Sequence, residues 1–194
     1  MTHKSWLTVC AVFAMLTSLV SSAQGQVPST RERFSFAVAS GTKAGVGGDG
    51  RFELSVTRWS SDAERDQMLE VFKESGQSGV RSAISNATIA GRMTLPGGLE
   101  NTVRYARRSL RPDGGEDIVL VFDWRTMPWW DATLPASPLD ATSSVIQLRL
   151  TKGGTGEGKL AVGKLREDKV TGVVMADYDA QPALLLDVRR EATR

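Results

Sequence analysis

The sequence predicts an α+β domain that is mainly antiparallel β, with about nine strands and one helix packed on the sheet. Three observations carry this reading. Short runs in which apolar and polar residues alternate recur along the chain, and a period of two marks a strand with one buried face. Most of the runs are joined by short turns containing Gly, Pro or polar residues. Such turns connect antiparallel neighbours, because a parallel crossover needs a dozen or more residues. Only the stretch 61–85 has room for a crossover, and it bears the clearest helical pattern. A barrel-like and a sandwich arrangement both fit the pattern.

The first residues of the 194-residue chain have the three-part layout of a secretory signal peptide. Lys4 supplies the positive charge, Trp6 to Val20 the apolar stretch, and Ser21-Ser22-Ala23 the small residues that a signal peptidase accepts. Cleavage is expected after Ala23, with export to the periplasm or beyond. The apolar stretch is shorter than the ~20 residues that span a bilayer, so no membrane span is expected after cleavage. Cys10 lies inside the apolar stretch instead of just after it, which argues against a lipid anchor. Residues 24–33 contain Pro28 and no periodicity and read as a flexible leader. Residues 34–194 then form a single mainly-β domain.

His3 and Cys10 are the sole histidine and cysteine. Cleavage removes both, which excludes a Ser-His-Asp triad, a thiol nucleophile and a His/Cys zinc site from the exported form. No catalytic residue, metal ligand or cofactor is therefore assigned. Loss of Lys4 leaves 23 of the 24 basic residues against 22 acidic ones, a net charge of +1. That is no field for nucleic acid, and none is expected as a partner.

The elements follow in order. Phe34, Phe36 and Val38 alternate with smaller or polar neighbours, as do Phe52, Leu54 and Val56, and a glycine-rich loop separates the two runs. Ser61-Asp62-Ala63-Glu64 fits a capping box at a helix start. Met68, Leu69, Val71 and Phe72 supply its apolar stripe, Gly76 ends it, and a weaker helical stretch covers 78–85. Ile89–Leu95 and Thr102–Arg108 flank Pro96-Gly97-Gly98 and read as a hairpin. Arg111-Pro112-Asp113-Gly114-Gly115 is a turn. Ile118 to Phe122 is continuously apolar, as in a strand covered on both faces. Strands then follow at 145–150, 158–165, 170–178 and 183–190, where Ile146/Leu148/Leu150 and Leu184/Leu186/Val188 mark the alternation.

Several motifs lack the setting that their chemistry needs. Gly45-Val46-Gly47-Gly48-Asp49-Gly50 matches a dinucleotide fingerprint, yet a strand pattern follows where a helix should begin. Gly153 to Lys159 matches the start of a phosphate loop, but Leu160 stands where Ser or Thr would hold magnesium. Ser40 and Lys43 have the spacing of a serine acylase but lie in the glycine-rich loop. The basic run Arg104, Arg107, Arg108 divides between two strand faces and reads as a solvated edge or face.

The segment Asp123-Trp124-Arg125-Thr126-Met127-Pro128-Trp129-Trp130-Asp131 holds three of the four tryptophans that remain after cleavage. Indole rings suit either a core plug or a contact surface. On the second reading Trp124, Arg125, Trp129, Trp130 and Asp131 form a binding site.

Gly156-Glu157-Gly158-Lys159-Leu160 and Gln181-Pro182-Ala183-Leu184 resemble segments of exported bacterial proteins with no assigned function. The turn at 112–115 and the helix start at 61–65 fit the same likeness. The resemblance implies a bacterial exported one-domain protein and no activity. Together these readings lead to a non-enzymatic domain that binds a small molecule or an envelope protein through its Trp-rich loop. The alternatives are a carboxylate-dependent hydrolase of cell-wall or polysaccharide material and a structural envelope component.

Overall fold

Nine strands and one helix follow one another as β1 (Glu32–Ala39), β2 (Phe52–Val56), α1 (Asp62–Asn86), β3 (Gly91–Thr94) and β4 (Glu100–Leu110). The remaining strands are β5 (Glu116–Phe122), β6 (Ser143–Leu150), β7 (Thr155–Asp168), β8 (Gly172–Tyr178) and β9 (Ala183–Glu191). The computed structural model describes residues 31–39, 51–122, 143–178 and 181–192. β1 begins two residues ahead of the first alternating run, so Glu32 and Arg33 belong to the strand.

The strands lie in the order β6-β5-β4-β3-β2-β1-β9-β7, and pairing of β6 with β7 closes the ring. The result is an eight-stranded antiparallel barrel, with β8 outside the ring. β7 is long enough to serve two purposes. Along one edge it pairs with β6 from Gly156 to Gly163. Its partners otherwise are β9, at Thr155 to Leu160, and then β8, at Gly163 to Asp168.

Alternation sorts the side chains into an interior and an outer layer. Phe34, Phe36, Phe52, Leu54, Leu120 and Leu160 are among the residues that fill the interior, and all are fully or almost fully buried. The Phe36 and Phe52 rings stack with centroids 5.6 Å apart. The outer layer joins Val119, Val121 and Val145 of the barrel wall to Met68, Val80 and Ile84 of α1. Val173 and Met175 of β8 pack into the same layer. The continuously apolar β5 is thereby covered on both faces, as its sequence requires.

α1 starts with the expected capping box between Ser61 and Glu64. The chain does not stop at Gly76; it bends there, with φ 57° and ψ −147°, and helix resumes to Asn86. Only glycine adopts that backbone freely. The bend places Gln77 beside β7, where its side-chain amide accepts a bond from the Leu165 N–H at 3.2 Å and donates to the Leu165 carbonyl. Gln77 thus occupies backbone groups that no strand reaches. Before the helix, Ser60 pairs with the Ala106 backbone on β4 through both its own N–H and its hydroxyl.

β9 departs from the expected phase. Ala183, Leu185 and Val188 face the interior, whereas Leu184 and Leu186 point outward. An irregularity in the β1–β9 register and the left-handed Asp187 (φ 49°) allow Leu185 and Val188 to share a face. The glycines of the phosphate-loop look-alike are structural. The β6–β7 turn closes with Thr151 N–H donating to Thr155 O at 2.7 Å, and a Cβ on Gly156 would lie 2.0 Å from the Arg149 carbonyl oxygen.

Candidate functional site

A barrel binds inside itself only when its interior leaves room, and here side chains occupy it. A charged cluster also gathers around the start of β1. Glu32, at the start of β1, accepts from Trp59 Nε1 at 3.0 Å and from Arg108 Nη1 at 2.9 Å. Arg190 spans Glu32, at 3.3 Å, and Glu116. The guanidinium groups of Arg108 and Arg190 lie over the Trp59 and Phe34 rings, at 4.9 Å and 5.5 Å. Arg108 is thus paired with Glu32 and Trp59, although 44% of its side chain remains exposed. Arg107 is also held, donating to the Ser60 carbonyl at 2.8 Å and to Asp62.

The concave feature with chemistry to offer lies on the outer wall. It is a groove of about 640 Å³. Outward side chains of neighbouring strands form its floor: Ser109 of β4, Asp117 and Val119 of β5, Gln147 and Arg149 of β6, and Glu157 and Lys159 of β7. Leu184 and Leu186 of β9 continue the floor, and the β7–β8 turn overhangs it with Asp168, Val170 and Thr171. Val170, Leu184 and Leu186 expose 55%, 48% and 46% of their surface. Half-exposed apolar residues gathered around one concavity are more informative than the same residues scattered singly.

The overhang is rigidly built. Asp168 accepts from the Val170 N–H at 3.0 Å, the Thr171 N–H at 2.8 Å and the Thr171 hydroxyl at 2.9 Å. Burial disfavours the Asp168 charge, but those hydrogen bonds outweigh it and hold the carboxyl below its usual pKa. Tyr105 of β4 anchors the turn from below, donating from its hydroxyl to the Thr171 carbonyl at 2.6 Å. Burial raises the Tyr105 pKa, which keeps that hydroxyl a donor.

Charge on the floor is uneven. Arg149 stands in register between Asp117 and Glu157, and Asp117 also holds Arg111 at 2.7 Å. Lys159 has Gln147 and Leu184 as its cross-strand neighbours. Among the described residues it has no ion-pair partner within 4.0 Å.

Trp124, Arg125, Trp129, Trp130 and Asp131 lie outside the described residues. The ends that lead to them, Phe122 of β5 and Ser143 of β6, belong to neighbouring antiparallel strands. Sequence reasoning misses the groove because each contribution looks like an ordinary solvated strand face. The one available signal was the unbroken Leu184-Leu185-Leu186, since three successive leucines on a strand cannot all face inward.

No family model, curated protein or solved structure matches the chain. Among the described residues, no group of three or more His, Cys, Asp or Glu could hold a metal ion. No described helix is long and apolar enough to cross a membrane.

Proposed function

We propose that the protein is a non-enzymatic binding domain, exported by its N-terminal signal, that engages its target through the groove on the outer wall. The observation behind this reading is the contrast between a barrel filled with side chains and an external concavity rimmed by half-exposed Val170, Leu184 and Leu186. Sites for ligands combine apolar lining with a few convergent polar groups, and the groove has both. The hydrolase alternative draws less support. Within the groove, Asp117 pairs with Arg111 and Asp168 bonds to the backbone and hydroxyl of its own turn.

Native mass spectrometry of the chain purified from its own host tests the reading. A bound mass is expected with the wild-type chain and is lost in Leu184→Asp, which points outward and spares the core. Repeated recovery of the bare mass, or a bound mass that survives Leu184→Asp, counts against the groove.

A further inference from the structure

We propose that the groove receives an extended polypeptide segment with apolar residues at positions i and i+4 and an acidic residue at i+2. This inference rests on the groove reading above and names the class of partner. The geometry starts from the order β5-β6-β7-β9 along the wall. Adjacent strands lie ~4.8 Å apart, so roughly 14 Å separate β5 from β9. Val170, in the turn that Tyr105 ties to β4, provides exposed apolar surface beside the almost fully buried Val119, while Leu184 and Leu186 provide it on β9. An extended chain advances ~3.3 Å per residue and turns alternate side chains to the same face. Residues i and i+4 are therefore about 13 Å apart and share a face, which matches the distance between the two apolar ends. A chain crossing the wall sets them down together.

The residue between them, i+2, lies over β6 and β7. There Arg149 is flanked across strands by Asp117 and Glu157, whereas the cross-strand neighbours of Lys159 are Gln147 and Leu184. Lys159 is thus the one charged side chain on the row Val119–Gln147–Lys159–Leu184, and its complement is Asp or Glu.

A phage-displayed library of random dodecapeptides, panned on the full chain, tests the proposal. The wild-type protein is expected to enrich peptides with two apolar residues four positions apart around an Asp or Glu. Lys159→Glu is expected to select Lys or Arg at the middle position, and Leu184→Asp to lower enrichment at least tenfold. Both side chains face outward, and unchanged melting temperatures of the variants confirm that the fold is intact. Enriched peptides without this spacing overturn the proposal, as does equal enrichment on wild type and Leu184→Asp. So does a wild-type dimer in sedimentation that Leu184→Asp dissociates, because the occupant is then a second copy. If panning fails while a bound mass from the host is lost in Leu184→Asp, the groove binds something other than an extended peptide. If the host-derived protein also carries no bound mass, the groove reading fails with it.

Discussion

β8 and β9 both run antiparallel to β7, and they end in different places. β9 pairs with the first part of β7 and with β1, which seals the barrel. β8 pairs with the last part of β7, beyond the reach of β6, and packs with α1 on the outer wall. The difference lies in what each strand buries. β9 turns Leu185 and Val188 into an interior already filled by phenylalanines and leucines, whereas β8 turns Val173 and Met175 onto a layer of mostly smaller side chains. A strand that leaves a barrel can thus still be buried, provided something covers its face. Here the covering leaves a groove beside it.

The sharpest way to break the contrast is a cavity in the closed part. Leu160→Ala on β7 should cost about 2–5 kcal/mol, measured by denaturant unfolding, with hydrogen exchange accelerated throughout the barrel. Val173→Ala in the outer layer should cost about 1–2 kcal/mol, from the lost burial of two methyl-sized groups. Its faster exchange should stay within α1, β8 and the end of β7; spread across β1 and β2 would show that the two layers unfold as one. Gln77→Ala should cost about 1 kcal/mol and speed exchange at the Leu165 amide first. Acid should act on the overhang before the barrel. The Asp168 carboxyl lies below its unfolded value of 3.8, so its contribution is intact above that pH and lost as pH falls through the lowered value. Nuclear magnetic resonance shifts of Val170 and Thr171 should report this titration while the Phe34 and Phe52 signals hold. The smallest effect is expected at Leu184→Ser, within about 0.5 kcal/mol because that side chain is half exposed.

Local features of this fold were legible in the sequence. The alternation at Phe52, Leu54 and Val56 marks a real inward face, and Ser61 with Glu64 does cap the helix. Gly76 does break it, although helix resumes afterwards because Val80 and Ile84 find apolar partners on the barrel wall. Ring closure was not legible, because it depends on pairings such as Arg33 with Glu191 that no local pattern encodes. The phase of β9 was misread for a related reason. Alternation assumes an unbroken strand, and the irregularity around Asp187 shifts every later residue to the other face. The groove was hidden by the same limit, since neighbouring strands build it and the pattern of one strand reveals only its own two faces.

The pairing of the first strand with the last also governs the order of folding. Ser35 bonds to Glu191, a residue 156 positions away in sequence. During synthesis β1 emerges well before β9, its second neighbour. Until then one edge of β1 has no strand to meet, and an uncovered edge is a template for pairing with other chains. Contacts this distant in sequence also make folding slow. For this chain the hazardous interval is the wait between making β1 and making β9, and whatever holds the nascent chain apart from its neighbours during that wait determines how much of it reaches the closed form.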